Sequence, residues 1–529
     1  MTSRRQNSEI GSPLESSTYV FLLIAVVLII GLYFIMRFSG AWGETDTYTF
    51  VIALREMYTA GELVPPGYAY SNGYGFSALG VFLFNLSSIS IASFQLLGAP
   101  LLATVLVLSA WLLFREFTGT RLAATLATLI LLVQPEFLFP ILRGTHEKFT
   151  RSLMMLCLYL LLRSLRSRDN ISRFTGFVLA FYLSAFSLIT FNNLNATSFI
   201  IAISISLLVL WVVEHRGFLS NRDEAPIPRL SLIVISLIVI SFVITFYAYP
   251  PAQHQILLFK SIWDQIAALL LPVEESTAIN PYTVVSTGWI NLPVYFAVSI
   301  ANWLLLALSL VIWVRQTYYW ITHRRRPTQR ELLLWSFYSV FAFLGAVSVV
   351  VDVSGALAAN LQHRIFASFA LFASPLVASQ PVSWQSHPGR KTRIAKIGAV
   401  LVIGLLACLS ILKATNEPLV SNYWVFHSPD ESRAVSWSDR FLDGRVLWAG
   451  FDERLSTGIG IQTGAAPLHV SLDQYYPNIN VADYLISSIT HLRSQRIKAP
   501  LPIEVDSFVT YDNGEAQIYH RRPRTPYQR

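Results

Sequence analysis

Residues 19–50 read YVFLLIAVVLIIGLYFIMRFSGAWGETDTYTF and contain the pattern on which the fold depends. The apolar run over 19–36 is close to the length of about 20 residues that crosses a bilayer. No small-residue cleavage site follows it, so the sequence predicts an uncleaved first span rather than a signal peptide. Glu44 and Asp46 come directly after this span, so the first loop places two carboxylates beside the membrane.

The composition excludes a soluble globular protein. Of 529 residues, 53% are hydrophobic and 13% are charged, and the mean hydropathy is +0.50. Cys157 and Cys408 both lie inside predicted spans, which argues against a disulfide framework and a cysteine metal site. The net charge of +8 could suggest nucleic acid, but most basic residues lie in short loops between spans. There they set the topology of a membrane protein, so no nucleic-acid partner is expected.

Eleven apolar runs are predicted to span the membrane, which places the two ends of the chain on opposite sides. The loops assigned to the cytoplasmic side hold 20 Lys and Arg, whereas the outer loops ahead of the tail hold seven. Since Lys and Arg concentrate on the cytoplasmic side, residues 1–18 are predicted inside and the C-terminus outside. The predicted spans are 19–36, 95–114, 122–141, 151–165, 174–190, 196–213, 230–249, 289–313, 332–351, 365–380 and 397–413.

The run at 74–94 is apolar enough to be counted as a further span. Counting it would reverse every later loop and place the cluster of basic residues at 323–326 outside. We therefore interpret 74–94 as a helix in the outer interface, continuous with the amphipathic segment 48–58. The first outer loop then covers 37–94, and loops of that length are more often functional than simple connections.

The character of the chain changes after Lys413. Residues 414–529 alternate polar and apolar positions, with turn signals at Asp443-Gly444 and Asp512-Asn513-Gly514. The stretch VTYDNGEAQIYH is typical of a β-hairpin around an Asn-Gly turn. The predicted fold class is thus a helical polytopic membrane protein with a transmembrane domain at 19–413 and a small extracytoplasmic α/β domain at 414–529.

Glu44 and Asp46 are the first candidate site residues. A carboxylate at the outer surface can act as a base towards a hydroxyl group or can bind a divalent cation. The alternative is that Asp46 only caps the helix predicted to start near Tyr48.

The second outer loop, 142–150, carries a dense group of charges in the stretch PILRGTHEKFTR, residues 140–151. Arg143, His146, Glu147 and Lys148 lie in a turn of a few residues, with Arg151 directly after it. Charges so close to a bilayer often only pair or extend to the headgroups. Two acids from separate loops at one level, with basic partners, also fit a site for a phosphate-bearing substrate.

Two further outer loops supply candidates. In the loop 352–364, His363 and Arg364 stand at the mouth of the tenth span, where a guanidinium suits bidentate contact with a phosphate. Extension of Arg364 to lipid headgroups is the alternative. In the loop 250–288, the amphipathic segment 255–272 carries Lys260 and could cover a lipid-facing cleft, although most such segments only rest on the interface.

Together these motifs resemble the GT-C superfamily of membrane glycosyltransferases. The resemblance rests on the acidic motif in a long first outer loop, the Arg-Gly-Thr-His-Glu second loop, the His-Arg entry into a late span, and the YDNG hairpin of the tail. The basic turn REFTGTR between the second and third spans is similar too. The closest type is archaeal and dolichyl-phosphate-sugar-dependent, including the mannosyltransferases that extend N-linked glycans.

The resemblance implies a role for each candidate. Asp46 and Glu147 match the catalytic acids of the first and second loops. Glu44 matches the other member of an E-x-D motif. Arg364 matches the arginine that holds the lipid phosphate. The expected activity is inverting transfer of one sugar, mannose or another hexose, from a polyprenyl (dolichyl) phosphate to a glycan or glycoprotein acceptor, in protein N-glycosylation. The site would face away from the cytoplasm in the cell membrane. The predicted substrate-binding residues are Glu44, Arg143, His146, Lys148, Lys260, His363 and Arg364.

The departures from the family pattern leave alternatives open. The first motif is E-x-D rather than D-x-D, and the tail lacks a WWDYG motif, which argues against the en bloc transfer of an oligosaccharyltransferase. Either no cofactor or a divalent cation such as Mg²⁺ or Mn²⁺ is expected, held in that case by Glu44, Asp46 and Glu147. A transporter or lipid flippase is disfavoured because the spans contain few charged residues and the sequence shows no internal repeat. A non-catalytic anchor would leave the acidic loops without a function.

Overall fold

The structure is a computed structural model of the chain. It describes residues 13–38, 45–66, 70, 73–167, 170–219, 236–237, 240, 292–353, 361–383, 390–415, 427–442, 447–448, 483–497 and 507–521.

All the regular secondary structure in the first half of the described chain is helical. Three short helical segments, Ile91–Ser93, the π-helical Phe94–Gly98 and Ala99–Leu101, precede the fourth long helix. The long helices are α1 Pro13–Phe38, α2 Thr45–Ala60, α3 Gly75–Ser87, α4 Thr104–Thr118, α5 Arg121–Leu132, α6 Pro135–Leu142, α7 Glu147–Arg166, α8 Ile171–Phe191 and α9 Asn193–His215.

The second half continues the bundle and ends in a mixed domain. Its bundle helices are α10 Leu292–Val298, α11 Ile300–Thr322, α12 Gln329–Val353, α13 Leu361–Ser383 and α14 Arg390–Ala414. The tail contains α15 Pro429–Phe441, β1 Leu447–Trp448, β2 Asp483–Ser487, α16 Ser488–Ile497, β3 Ser507–Asp512 and β4 Ala516–Arg521.

Six helices among the described residues are long and apolar enough to cross a membrane, or seven if α5 and α6 form one bent span. The six are Ser17–Arg37, Ala99–Thr118, Ile171–Phe191, Asn193–His215, Ile300–Thr322 and Gln329–Val350. The predicted spans 151–165, 365–380 and 397–413 lie in α7, α13 and α14, which are helical but not among these six. The predicted span 230–249 lies almost wholly outside the described residues. The count of eleven therefore stays a prediction.

The predicted span 122–141 is not one straight helix. It consists of α5 and α6, which meet at an angle of 78°. The bend falls at Gln134-Pro135, because proline has no N–H and its ring clashes with the preceding turn. Pro135 instead begins α6, a position where a missing N–H costs nothing. The bend returns the chain through residues 143–146 to the start of α7.

The apolar run at 74–94 also differs from a span. Its helix α3 has 13 residues, and Ser88 ends it in the left-handed conformation at a φ of 54°. At 1.5 Å per residue, α3 is about 20 Å long, which is less than the hydrocarbon thickness of about 30 Å. This length agrees with a helix that does not cross the membrane, while its place in the interface stays a prediction.

The core of the bundle aligns the ends of three helices. Helix α13 packs against α5 and α12, where Phe372 stacks on Phe337 and Phe341 at centroid distances of 5.0 and 5.1 Å. Helix α7 packs between α4 and α8. This packing brings the first turns of α7, α9 and α13 to one end of the bundle, which we call the site end.

The tail contains a four-stranded sheet of order β1-β2-β4-β3. Strands β3 and β4 are antiparallel, and their turn places Gly514 at a φ of 87°. The hairpin predicted around Asn513-Gly514 is therefore present. Helix α15 begins at a capping box of Ser428 and Glu431 and packs on β4.

Candidate active site

The second predicted outer loop is folded around the side chain of Lys148. Its ammonium nitrogen donates to the backbone carbonyls of Arg143 at 2.6 Å and Thr145 at 3.0 Å. The side chain is buried, with 1% of its surface exposed. Lys148 was predicted to bind substrate. In the structure its charge holds two carbonyls of its own loop, and its part in substrate binding stays a prediction.

Glu147 forms the centre of the charged group at the site end. Its carboxylate lies 3.4 Å from the guanidinium of Arg151, one helical turn later on α7. Burial alone would raise the pKa of Glu147, but the charges of Arg151, His146, Arg143 and Arg364 outweigh burial and lower it. Glu147, which precedes the predicted span 151–165, is therefore ionised at neutral pH.

Arg151 connects Glu147 to the start of α13. Its guanidinium is buried and donates to the carbonyl oxygen of Arg364 at 3.1 Å, to the hydroxyl of Ser368 and to Asn195 at 3.3 Å. Arg151, the residue directly after the loop 142–150, thus joins that loop to the His363-Arg364 motif, and a phosphate site at this place stays a prediction. Residues more than 200 positions apart in the chain build this contact.

Arg364 itself is exposed at the first turn of α13. Its charge is close enough to Glu147 to lower the pKa of that carboxyl group. Arg143, in the loop itself, is half-buried, with its guanidinium 4.3 Å from the centroid of Phe139. Three guanidinium groups, those of Arg151, Arg143 and Arg364, are therefore close enough to Glu147 to lower its pKa, and positive charge of this kind attracts anionic ligands.

His146 is held inside the protein. Its Nε2 lies 3.1 Å from the hydroxyl of Tyr70 and 2.5 Å from the amide nitrogen of Asn192. Asn192 also caps α9 by accepting from the Asn195 N–H at 2.8 Å. Only 5% of the surface of His146 is exposed, so this residue, predicted to bind substrate, fixes the first loop to the second loop and to α9.

The first outer loop reaches the second at Thr47. Its hydroxyl accepts from the N–H of Gly144 at 3.2 Å, and both residues are buried. The backbone of Asp46, one residue earlier, belongs to the first turn of α2. The beginning of α2 therefore lies against the loop that ends at Glu147. Glu44 and Lys260 lie outside the described residues, and so does the whole of the loop 250–288.

The fold of the chain, but not its sequence, is similar to known proteins. No protein-family model matches the sequence, and no curated protein matches it. Solved structures do match in fold. The archaeal oligosaccharyltransferase AglB from Archaeoglobus fulgidus, in complex with an inhibitory peptide and a dolichol-phosphate, superposes with a TM-score of 0.56 at 12% identity, covering 97% of this chain and 75% of AglB. The apo form of the Archaeoglobus fulgidus oligosaccharyltransferase superposes with a TM-score of 0.55 at 11% identity. That match covers 88% of this chain and 69% of the enzyme.

The chain has a GT-C fold. ArnT from Cupriavidus metallidurans bound to undecaprenyl phosphate is also similar, with a TM-score of 0.41 at 14% identity over 96% of this chain and 100% of ArnT. The GT-C likeness and the apolar helices identify a multi-pass membrane protein. The side of the membrane that the site end faces stays a prediction.

The described residues cover only part of the predicted divalent-cation site. No three His, Cys, Asp or Glu side chains come together as a metal site among the described residues. Of the three predicted ligands, only Glu147 has a described side chain, and it is paired with Arg151. The pairing with Arg151 already uses part of the capacity of Glu147, and binding of a cation by the three predicted ligands stays a prediction.

Sequence reasoning missed Glu136 and Asn192. Both lie at helix boundaries between apolar segments, and not in the charged loops from which the candidate residues were predicted. The signal for Glu136 was the Gln134-Pro135 pair, which predicts a break in a span and therefore a polar position beside it. His363 was predicted to face the lipid phosphate, and in the structure its Nδ1 lies 3.2 Å from the Glu136 carboxylate.

Proposed function

We propose that this protein is a membrane glycosyltransferase that moves one sugar from a polyprenyl (dolichyl) phosphate to a glycan or glycoprotein acceptor. The observation that carries the proposal is the site end itself. There, the exposed Arg364 stands beside Arg151 and Glu147, and the start of α2 lies against the same loop.

The charge at this end fits a lipid phosphate as donor. A guanidinium binds a phosphate through two parallel hydrogen bonds, and Arg364 is exposed enough to do so. Arg151 donates to the carbonyl of Arg364 and so fixes the backbone that carries it. The similar structure of AglB contains a dolichol-phosphate, which supports this class of ligand.

In the proposed reaction, an acceptor hydroxyl attacks the anomeric carbon of the lipid-linked sugar. The new bond joins the acceptor oxygen to that carbon, while the bond from the carbon to the phosphate oxygen breaks. Asp46 takes the proton of the hydroxyl as a general base. Arg364 stabilises the negative charge that develops on the departing polyprenyl phosphate. Glu147 orients the acceptor and keeps Arg151 in place.

This direct displacement has two consequences. Because no protein nucleophile intervenes, the configuration at the anomeric carbon is inverted. Since the site is proposed to face away from the cytoplasm, a nucleotide sugar made in the cytosol cannot reach it. A lipid carrier that has crossed the membrane can, and a hexose such as mannose in protein N-glycosylation is the proposed cargo. The tail domain would bind the acceptor.

An oligosaccharyltransferase is the second candidate, because AglB has that activity and shares the fold. It would move a whole glycan to an asparagine side chain. The tail of this chain lacks a WWDYG motif, which the resemblance ties to recognition of the acceptor asparagine. We therefore place single-sugar transfer first.

Purified protein in liposomes separates these functions. Polyprenyl phosphates carrying one labelled sugar and polyprenyl carriers with an oligosaccharide are offered with either a glycan or an Asn-X-Thr peptide. Label transferred from the single-sugar donor to the glycan, with inverted configuration, supports the proposal. Transfer of the oligosaccharide to the peptide would favour the second candidate, and no turnover of either donor would refute both.

A further inference from the structure

The bend between α5 and α6 is joined to the last bundle helix by a polar connection. Ser410 on α14 donates to the carbonyl of Val133, the residue that follows α5. Helix interruptions at membrane depth persist where neighbouring side chains bind the freed backbone groups. One helical turn later, Lys413 brings its ammonium to the same break, so α14 is fixed there by two side chains.

Glu136, in the first turn of α6, receives that ammonium. Its Oε1 lies 2.6 Å from the nitrogen of Lys413. The nitrogen also lies 2.6 Å from the hydroxyl of Ser299 and 4.5 Å from the centroid of the Tyr295 ring. The side chains of Glu136 and Lys413 are 15% and 13% exposed, so this is a partly buried pair with defined geometry.

The second oxygen of Glu136 has a different partner. Oε2 lies 3.2 Å from Nδ1 of His363. Each carboxylate oxygen therefore has one cationic or donor group, and the two groups come from different helices. Lys413 would suffice if Glu136 only connected α6 to α14. The contact with His363 extends the connection to the first turn of α13.

His363 directly precedes Arg364, and that turn is held from two sides. Arg151 donates to the carbonyl of Arg364, and Glu136 contacts the imidazole of His363. Because Arg364 is otherwise exposed, the direction of its side chain depends on how firmly this turn is fixed. Two supports on adjacent residues restrict both the rotation and the translation of the turn.

We propose that Glu136 is a positioning residue, which acts through Nδ1 of His363 to aim Arg364 at the donor phosphate. This inference rests on the proposed function, because it assigns Arg364 to the lipid phosphate. Neither Glu136 nor Lys413 contacts the donor itself. His363 is then a positioning residue as well, and not a ligand of the phosphate.

The test measures two quantities on the full-length protein in detergent: the melting temperature, and the Kd for a polyprenyl phosphate without sugar. Glu136→Gln is expected to raise the Kd for polyprenyl phosphate by about tenfold. This is the change in affinity that the loss of one charge-assisted contact produces. The transfer reaction should show the same loss as a raised KM for the donor. Glu116→Gln is the matched control, since Glu116 pairs with Arg163 and Arg166 at the opposite end of the bundle. It should lower the melting temperature and leave the Kd unchanged.

Substitutions of His363 show whether the contact through Nδ1 matters, and they keep the test informative if Glu136→Gln fails to fold. Asparagine places an amide nitrogen near the position of Nδ1, so His363→Asn should keep the Kd within about twofold of wild type. His363→Ala should weaken binding by about tenfold. An equal loss in both variants, or a Glu136→Gln protein with wild-type Kd, would overturn the positioning role. A wild-type protein that binds no polyprenyl phosphate would instead refute the proposed function, and this inference with it.

Discussion

The substitution Gly144→Ala tests the contact between the first and second loops. A Cβ atom at Gly144 would lie 2.7 Å from Cγ2 of Thr47, 2.8 Å from Oε1 of Gln95 and 2.9 Å from the backbone oxygen of Gln95. Non-bonded carbon atoms settle at about 3.5–4.0 Å, so the loop and α2 must separate by roughly half an ångström or more. A backbone atom is among the three neighbours, so a change of side-chain rotamer cannot relieve the clash.

The magnitude follows from two contributions. Overpacking a tight buried contact costs about 1–3 kcal/mol of unfolding free energy. The hydrogen bond from the Gly144 N–H to the Thr47 hydroxyl, 3.2 Å long, contributes about 0.5–1.5 kcal/mol and is weakened by the same movement. Thr47 follows the proposed base, Asp46, so a shift of α2 displaces that residue. A displacement of 1 Å can lower a rate about 100-fold, so we expect kcat for sugar transfer to fall about tenfold to 100-fold.

The assay is sugar transfer from a labelled polyprenyl phosphate, with the melting temperature measured on the same preparations. Gly176→Ala on α8 is the matched control, since nothing lies within 4 Å of its Cβ position. It should leave the transfer rate unchanged and should not lower the melting temperature, since alanine is favoured over glycine in a helix interior. Adding Thr47→Ser to Gly144→Ala removes the contact with Cγ2 and should restore part of the rate, while the clash with Gln95 remains. A Gly144→Ala protein with wild-type rate and stability would refute the proposed contact between the loops.

Three other substitutions follow from the same geometry. Arg151→Gln leaves the buried carboxylate of Glu147 without its main partner, so the unfolding free energy should fall by about 3–5 kcal/mol, and an unchanged melting temperature would contradict the pairing. Lys148→Met removes the donor to two loop carbonyls and should lower the stability by about 1–3 kcal/mol, with KM for the donor unchanged; a raised KM at wild-type stability would return Lys148 to substrate binding. Gly514→Ala places a side chain at a φ of 87° and should destabilise the tail by about 1–2 kcal/mol. The tail of the full-length variant should then be proteolysed faster than that of the wild type. Equal proteolysis rates would contradict this expected destabilisation.

Much of the site end could be predicted because its charges stand out against an apolar chain. Arg143, His146, Glu147 and Arg364 were selected from sequence, and the structure brings all four to one end of the bundle. Sequence could not show which of them face a ligand. The inward direction of Lys148 and His146 depends on carbonyls and side chains that only the folded loop brings near them.

Other features depend on contacts between distant segments. The contact of Arg151 with Ser368 and the Arg364 carbonyl joins α7 to α13, and helical periodicity carries no information on which helices meet. Pro135 predicts a bend at its position, yet the apolar run around it was long enough to be interpreted as a straight span. The role of Glu136 depended on recognising that bend.

The most direct test of the account compares wild-type protein with Asp46→Asn in the transfer of labelled sugar from a polyprenyl phosphate to a glycan. Asparagine keeps the size of the side chain and removes the base, so binding of the donor should be retained. The rate should fall by about 10²–10⁴-fold, the usual contribution of a general base. A variant that transfers sugar at the wild-type rate would contradict the assignment of Asp46 and the mechanism built on it.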